Sequence, residues 1–372
     1  MSRLIDTLVC IATLAGFASA QAGLDTFGIT KFYPTKAGTR EWTSAHWANG
    51  NNRVITYAPD PDDPTGWTDD HSASTNGFHI DGKGTMTMSG GGPRFHINST
   101  ITSKVAAQLF ENTEYTAYYM RKGASGAAYG GMIVGARSGP LGHASSGGND
   151  CDATTYYGRF RNDGKWDVEK ELKHPGSTYW SGSGFNTQDP LWHGALMPQN
   201  RWIGMKYLVY NIDNDTHVKF ELYIDTLSNG NPVSGGHWEK VGTVADTGNW
   251  TSGDVSGCNY AQNMIIIPGH GTFLMRTDND TAVYKMVSIR EIDMSAPVSL
   301  RAQGSTRDPQ IQVLQFNGAV HVFLDGSVVD ESKIRWSDLN GKLLPQAPRT
   351  GLALVCVQTA QGMQRKVVML GE

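Results

Sequence analysis

Short segments of alternating or continuous apolar residues recur along the chain, without long amphipathic helical patterns. Alternation with a period of two indicates a strand, because successive side chains of a strand point to opposite faces. The pattern predicts these strands: Tyr115–Arg121, Gly131–Ala136, Tyr156–Arg161, Trp166–Leu172, Ile203–Ile212, Val218–Asp225, Met264–Pro268 and Val283–Ile292. Many short strands separated by turn residues are typical of a β-sandwich or jelly roll.

A hairpin is predicted where Lys206–Tyr210 and Val218–Asp225 flank a polar turn at Asn211–Thr216. The second strand alternates between an apolar set, Val218, Phe220, Leu222 and Ile224, and a polar set, Lys219, Glu221, Tyr223 and Asp225. An antiparallel sheet commonly has one buried and one wetted face. We therefore expect the apolar set in the core and the polar set in water.

A second hairpin is predicted at Asn162-Asp163-Gly164, which is typical of a three-residue loop with glycine in the left-handed conformation. The turn sets Phe160 opposite Trp166, Arg159 opposite Asp167, and Tyr157 opposite Glu169. A slip by one residue would place charged side chains beside apolar ones, so the hydrophobic pattern selects this register. One face then carries Tyr157, Arg159, Arg161, Asp167, Glu169 and Glu171, and the other carries Tyr156, Phe160, Trp166, Val168 and Leu172, with Lys170 as the exception.

The composition changes around Asp293–Thr306, and a new set of short strands follows. These are predicted at Gln310–Phe316, Ala319–Leu324, Ile334–Asp338, Leu352–Thr359 and Lys366–Leu370. We therefore predict an all-β chain with a jelly-roll domain over residues 24–293, a linker over 294–309 and a small immunoglobulin-like β-sandwich over 310–372.

Residues 1–20 have the composition of a secretory signal peptide. Arg3 is followed by an apolar run at Leu8–Phe17 and by the small residues Ala18-Ser19-Ala20, a pattern that signal peptidase cleaves. The run is too short for a bilayer core, which needs about 20 apolar residues. We expect a secreted or surface-displayed protein without a transmembrane segment.

Cys10 lies in the predicted signal peptide, which leaves three cysteines in the mature chain. Cys151 and Cys258 lie in polar, glycine-rich segments, and two such cysteines of an exported domain are expected to form a disulfide. Cys356 lies in an apolar strand pattern and is predicted to be a buried free thiol.

The formal net charge of −4 comes without any block of basic residues, so nucleic acid is not an expected partner. No histidine or cysteine spacing matches a transition-metal site, and we predict no cofactor. The clustered oxygens of Asp60–Pro64 and Asp213–Asp215 leave a structural calcium ion open.

The charged face of the second hairpin has two interpretations. It is either a set of cross-strand ion pairs on a solvated face or the floor of a groove that binds a polysaccharide. For the groove, three functions stay open: a polysaccharide lyase, a retaining glycoside hydrolase, and a carbohydrate-binding or adhesive surface module without catalysis. The hydrolase would use the stripe Asp167-x-Glu169-x-Glu171, since i, i+2 spacing keeps carboxylates on one face.

Residues 24–293, with this arrangement, resemble the concanavalin A-like jelly-roll group that includes alginate- and glucuronan-lyase folds. The resemblance is architectural, because the Arg-x-Glu-x-Arg and Gln-Ile-His motifs of alginate lyases are missing. It implies β-elimination at a uronic acid, which needs a cation on the carboxylate and an acid and base near the glycosidic oxygen. The candidates are Tyr157, Arg159 and His174 for catalysis, and Arg161, Asp167, Glu169 and Glu171 for substrate binding.

The C-terminal segment carries three further motifs: Ile334-Arg-Trp-Ser-Asp-Leu-Asn-Gly-Lys-Leu343, Thr350-Gly-Leu-Ala-Leu-Val-Cys-Val-Gln358 and Arg365-Lys-Val-Val-Met-Leu370. With these motifs it resembles the C-terminal sorting domains of type IX-like secretion in Bacteroidetes- and Fibrobacter-type bacteria. Ala353 departs from the usual aromatic residue of the second motif. The resemblance implies a bacterial extracellular protein whose C-terminal domain is recognised by secretion machinery.

Overall fold

A computed structural model describes residues 23–55, 58–59, 67–72, 78–90, 92–99, 110–123, 130–139, 149–179, 191–192, 195–251, 253–268, 271–278, 280–295, 311–316, 319–324, 327–338, 343–348, 351–359 and 362–370. The chain divides into two compact units, Met1–Leu300 and Arg301–Glu372. The predicted signal peptide, most of the predicted linker and the Asp60–Pro64 segment lie outside the described residues.

The first unit is built from antiparallel strands. In chain order they are β1 (Trp42–Thr43), β2 (Arg53–Val54), β3 (Ala58–Pro59), β4 (Trp67–Ser72), β5 (Phe78–Ile80), β6 (Thr85–Gly90), β7 (Arg94–Ser99), β8 (Thr113–Arg121), β9 (Gly131–Ser138), β10 (Thr155–Arg161), β11 (Trp166–Lys173), β12 (Gly176–Tyr179), β13 (Trp202–Ile212), β14 (His217–Asp225), β15 (Glu239–Asp246), β16 (Thr272–Arg276) and β17 (Asp280–Glu291). Short 3-10 helices occupy Ser44–Ala48 and Asp150–Asp152.

These strands form two sheets. The nine-stranded sheet has the order β15-β14-β13-β8-β17-β6-β5-β2, with β1 also paired to β17. The eight-stranded sheet has the order β12-β11-β10-β9-β16-β7-β4-β3. Neighbouring strands are often far apart in sequence, as in a jelly roll. The predicted all-β fold is confirmed.

The main core lies between the two sheets and contains the largest apolar side chains. Tyr156 of β10 packs against Phe220 of β14 with ring centroids 4.7 Å apart. Gly158 leaves room for the Tyr207 ring, because a Cβ at this glycine would lie 2.7 Å from that ring. Close packing of this kind makes burial of apolar surface the main stabilising contribution.

The hairpin of β13 and β14 forms as predicted, with Ile212 opposite His217 across the turn. The apolar set of β14 lies in the main core. The opposite face is not wetted, and that expectation is wrong: Glu221, Tyr223 and Asp225 are buried. The physical reason is a second apolar cluster, to which the N-terminal residues Ile29 and Tyr33 and the later Trp238 contribute, packed on this face.

The predicted strand at Met264–Pro268 is also wrong, because this segment has no regular structure. It is held instead by buried polar groups. Arg137 donates to the carbonyl oxygens of Ile266 and Ile267 at 2.7 Å, and the Ile266 amide donates to the Tyr156 hydroxyl at 3.0 Å. The apolar pattern therefore reflects packing against the core and not strand pairing.

The second unit contains a three-stranded and a four-stranded antiparallel sheet. Its strands are β18 (Ile311–Phe316), β19 (Ala319–Leu324), β20 (Ser327–Val328), β21 (Ile334–Ser337), β22 (Leu343–Leu344), β23 (Gly351–Thr359) and β24 (Gly362–Leu370). A 3-10 turn spans Glu331–Lys333.

Cys356 is free but only half-buried, because its neighbours Val355 and Val357 take the core-facing positions. The prediction of a buried thiol is wrong in that respect.

The predicted disulfide between Cys151 and Cys258 is confirmed, with the two Cα atoms 5.6 Å apart. It joins the 3-10 helix Asp150–Asp152 to the segment after β15. Among the described residues, no helix has both the length and the apolar character needed to cross a membrane.

Candidate functional site

The β10–β11 hairpin has the predicted register. Phe160 is paired with Trp166, Arg159 with Asp167, and Tyr157 with Glu169. The turn closes with the Arg161 amide donating to the Lys165 carbonyl at 2.8 Å, and Gly164 has the expected positive φ of 81°.

The inner face of this hairpin is apolar, as expected, and lies in the main core. Lys170, the exception in the pattern, is fully buried there. Its ammonium group donates to Asp246 and to the Met264 carbonyl, each at 2.8 Å. A buried lysine needs such partners, because an unpaired charge in the core would cost several kcal/mol.

The outer face of the eight-stranded sheet, between β7 and β11, is the candidate site, and we call it the polar face. Its side chains alternate with core-facing residues such as Phe95, Ile97 and Met275. It carries Arg94, His96, Ile133, Tyr157, Arg159, Arg161, Asp167, Glu169, Glu171, Leu274 and Arg276.

An apolar cluster of Ile133, Tyr157 and Leu274 lies at the centre of the polar face. Gly135 is the strand partner of both Tyr157 and Leu274. A Cβ at Gly135 would lie 2.8 Å from the Leu274 side chain, so glycine lets the neighbouring side chains close over the backbone. The Arg276 guanidinium stacks over the Tyr157 ring, 5.7 Å from its centroid.

The expected exposure of the hairpin's charged residues is wrong, because their side chains are buried. Tyr157 is 1% exposed, Arg159 6% and Glu171 2%. Arg161, Asp167 and Glu169 are buried as well. Contacts within the face contribute to this burial: Arg159 pairs with Asp167 and Glu169, and the Tyr157 hydroxyl donates to Glu171.

Cross-strand ion pairs occupy the β10–β11 end of the polar face, as one of the two interpretations predicts. Arg159 donates to Asp167 at 2.5 and 3.0 Å and also pairs with Glu169. Arg161 pairs with Asp167 at 2.9 Å and with Asp163 at 2.6 Å. These bidentate contacts fix both guanidinium groups on the hairpin.

Tyr157, Glu171 and His174 form a connected set. The Tyr157 hydroxyl donates to Glu171 Oε2 at 3.0 Å, and Glu171 Oε1 lies 3.0 Å from His174 Nδ1. Burial, followed by the Glu171 charge, raises the pKa of Tyr157 well above its ordinary value. Burial also raises the pKa of the Glu171 carboxyl, while the hydrogen bond with His174 opposes that rise.

Two arginines that the sequence analysis did not select lie beside this set. Arg94 of β7 and Arg276 of β16 are direct cross-strand partners. Arg276 pairs with Asp278 at 2.8 Å. Burial alone would lower the pKa of Arg276, but the Asp278 and Tyr157 charges, the hydrogen bond to Asp278 and the Glu171 charge together raise it above its ordinary value. Burial, followed by the like charge of Arg276, lowers the pKa of Arg94.

The sequence pattern could have placed Arg94 on the polar face of a strand. Arg94-Phe-His96-Ile-Asn98 alternates between polar and apolar positions, which predicts a strand with one polar face. Nothing in the sequence indicates that this strand pairs with β16, so the meeting of Arg94 and Arg276 required the structure.

All seven predicted catalytic and binding residues belong to the hairpin or its following turn, and they lie together.

In the part of the chain that is described, no three His, Cys, Asp or Glu side chains gather as a metal site. The Asp213 carboxylate lies 2.8 Å from His217 Nδ1, and calcium at Asp213–Asp215 stays a prediction.

No family model matches the chain. No curated protein matches it either. Solved structures with similarity include the marine alginate lyase of Aplysia kurodai, at 12% identity and a TM-score of 0.33, over 56% of this chain and 82% of that chain. An alginate lyase in complex with an alginate tetrasaccharide matches at 9% identity and a TM-score of 0.35, over 68% of this chain and 97% of that chain. Lectin II of Ulex europaeus matches at 7% identity and a TM-score of 0.31, over 65% of this chain and 98% of that chain. Scores this low say nothing about the reaction or the ligand.

Proposed function

We propose that the first unit is a polysaccharide lyase that cleaves a uronic-acid-containing glycan by β-elimination. The observation that supports this function is the cross-strand pair Arg94 and Arg276 on the polar face, with the Arg276 guanidinium over the Tyr157 ring. Guanidinium groups are suited to planar, bidentate recognition of a carboxylate. A uronate carboxylate is therefore the chemical partner that this end of the polar face fits.

In this proposal Arg94 and Arg276 hold the uronate carboxylate. Neutralising that charge makes the proton on the adjacent carbon more acidic, because the transition state carries extra negative charge. The sequence analysis assigned this role to Arg159, but Arg159 is held by two carboxylates, Asp167 and Glu169, whereas Arg276 pairs with Asp278 and stacks over the Tyr157 ring. We therefore assign Arg159, together with Arg161, to the framework that orients the β11 carboxylates toward a bound sugar.

Tyr157 is the acid–base group of the proposed reaction. Its hydroxyl donates to Glu171, and the charges of Arg276 and Arg94 both lower its pKa against the effect of burial. Syn elimination needs one group that takes the proton next to the carboxylate and returns a proton to the leaving glycosidic oxygen. His174 acts with it through Glu171, to which both are hydrogen-bonded.

A carbohydrate-binding surface without catalysis is the second candidate. The ion pairs of Arg159 and Arg161 favour it, because they hold polar groups rigidly, as a binding face requires. A retaining glycoside hydrolase is less suited to the polar face, since Glu169 is engaged by Arg159 and Glu171 by Tyr157.

A single screen separates the three functions. The mature protein is incubated with alginate, glucuronan, pectin and neutral β-glucans, and absorbance near ~235 nm and reducing ends are read in parallel, since β-elimination leaves an unsaturated sugar. We expect new absorbance on a uronate polymer. Reducing ends without absorbance would indicate a hydrolase, and retarded migration in polysaccharide gels with neither product would indicate a binding module.

We also propose export to the cell exterior through the predicted signal peptide and the C-terminal unit. The Cys151–Cys258 disulfide supports an oxidising location. The two-sheet architecture of residues 301–372 is compatible with a sorting domain that secretion machinery recognises.

A further inference from the structure

The hydrogen bonds that connect Tyr157, Glu171 and His174 suit proton transfer as well as sugar binding. The Tyr157 hydroxyl donates directly to a carboxylate, and a histidine contacts the other oxygen of the same carboxylate. The order of exposure is graded: Tyr157 is 1% exposed and Glu171 2%, whereas the His174 side chain is 37% exposed. The set therefore leads from the centre of the polar face to solvent.

We propose that Glu171 is the proton acceptor for the Tyr157 hydroxyl, and that His174 holds Glu171 in position and couples it to solvent. This inference rests on the proposed lyase function and deepens it. It gives Glu171 a role other than substrate binding. A buried tyrosine is a poor base by itself, and the hydrogen-bonded carboxylate supplies the missing proton acceptor.

The proton transfers balance over one cycle. The Tyr157 O–H bond breaks as an O–H bond forms on Glu171 Oε2, while the tyrosine oxygen takes the proton next to the uronate carboxylate. The electrons of that C–H bond form the new double bond, and the bond to the leaving oxygen breaks. Tyr157 gives the substrate proton to that oxygen, and Glu171 returns its proton to Tyr157.

Charges from several elements face this set and fix the direction of the pH effect. Glu169 on β11 raises the pKa of Glu171, whereas Arg276 on β16 and His174 lower it. Arg94 on β7 and Arg276 also lower the pKa of Tyr157 against the effect of burial. Removing His174 should therefore raise the pKa of Glu171 and move the acid limb of the rate profile to higher pH.

The first test is kinetic. Glu171→Gln keeps the size and one oxygen of the side chain but removes the proton acceptor, so we expect kcat to fall at least ~100-fold with KM within a few-fold. The acid limb of the kcat/KM profile should disappear. If Glu171→Gln kept turnover within two-fold of the wild-type protein and an unchanged acid limb, the proposal would be overturned.

His174→Ala gives a second kinetic test that a merely structural role would not pass. We expect the acid limb to move to higher pH, and added imidazole to restore turnover, because the position of His174 reaches solvent. The matched control is His217→Ala, which removes another histidine that contacts a carboxylate, Asp213, at 2.8 Å. Imidazole should leave the control unchanged. Equal responses of the two variants would count against the role of His174.

A measurement without substrate separates this inference from the proposed function. With tyrosine labelled at Cζ with carbon-13, the Tyr157 signal, assigned through Tyr157→Phe, should shift as Glu171 takes up a proton with falling pH. Glu171→Gln should abolish that shift. A Tyr157 signal that does not change with pH in the wild-type protein would overturn the proposed proton transfer from Tyr157 to Glu171. A wild-type protein that cleaves none of the uronate polymers would instead overturn the lyase function.

Discussion

Arg159 lies directly opposite Asp167 across the β10–β11 hairpin, and the two side chains form a bidentate ion pair away from water. Exposed ion pairs contribute little to stability, but breaking a buried pair leaves an uncompensated charge. The burial of Arg159 therefore changes what its removal should do.

The first prediction follows from this burial. Arg159→Ala should lower the free energy of unfolding by about 3–5 kcal/mol, because Asp167 and Glu169 both lose a charge partner. Urea denaturation of the original and variant chains measures the difference. Lys240→Ala is the control, since Lys240 pairs with Glu221 at a half-exposed position and should cost at most about 1 kcal/mol. Equal, small losses in both variants would contradict the prediction.

The second prediction concerns the arginine pair. Arg94→Ala should weaken binding of a uronate polymer at least tenfold, which corresponds to about 1.4 kcal/mol, and leave any binding of neutral β-glucan unchanged. Affinity electrophoresis in gels with each polymer measures both. Arg201→Ala makes the same change of charge at an exposed arginine just before β13 and should have no effect. An equal loss on neutral and acidic polymers would mean that Arg94 supports the fold and not the carboxylate.

The two hairpins show how far sequence alone predicts this protein. The Phe160–Trp166 register followed from local alternation, because a slip by one residue exchanges the faces of a strand. The pairing of Arg94 with Arg276 could not be derived from local alternation, because it joins strands that are distant in the chain. Local alternation also did not predict that Glu221 and Tyr223 are buried, because the residues that pack on their face include Ile29 and Tyr33 of the N-terminal segment and Trp238, which are distant in the chain. Local pattern gives the faces of a strand but not what packs on them.

The third prediction is a pH dependence of stability. Burial raises the pKa of Glu291 from 4.5 to about 8, although the backbone amides of Glu111 and Asn112 donate to it and Lys36 lies nearby. A carboxyl whose pKa is higher in the folded chain stabilises most below its unfolded pKa, and this contribution is lost as pH rises through the folded pKa. We expect the free energy of unfolding to fall by a few kcal/mol between about pH 4.5 and 8 on account of Glu291.

Glu291→Gln isolates this effect, because the amide keeps the shape of the side chain and does not titrate. Denaturation curves across that pH range should slope less for the variant than for the original chain. The same slope in both would show that Glu291 does not cause the pH dependence.

The fourth prediction concerns the second unit. If residues from about 300 onward serve export, a chain ending at Met294 should keep its handling of polysaccharide and lose export from the producing bacterium. Fractionation of cells and medium measures export, and the polymer screen measures activity. A shortened chain that stays folded by circular dichroism but loses activity would contradict the separation of roles.

The fifth prediction distinguishes an enzyme from a binding surface. Tyr157→Phe keeps the ring under Arg276 and removes only the hydroxyl that donates to Glu171. If Tyr157 is the acid–base group, turnover on the uronate polymer should fall by about 100-fold or more, while affinity changes only a few-fold. A binding surface would lose little of either, because stacking and the arginine pair stay in place. Absorbance assays give turnover, and affinity electrophoresis gives binding with the same polymer. Original levels of turnover in Tyr157→Phe would remove Tyr157 from the proposed mechanism, and the ion pairs of the hairpin would then serve the fold alone.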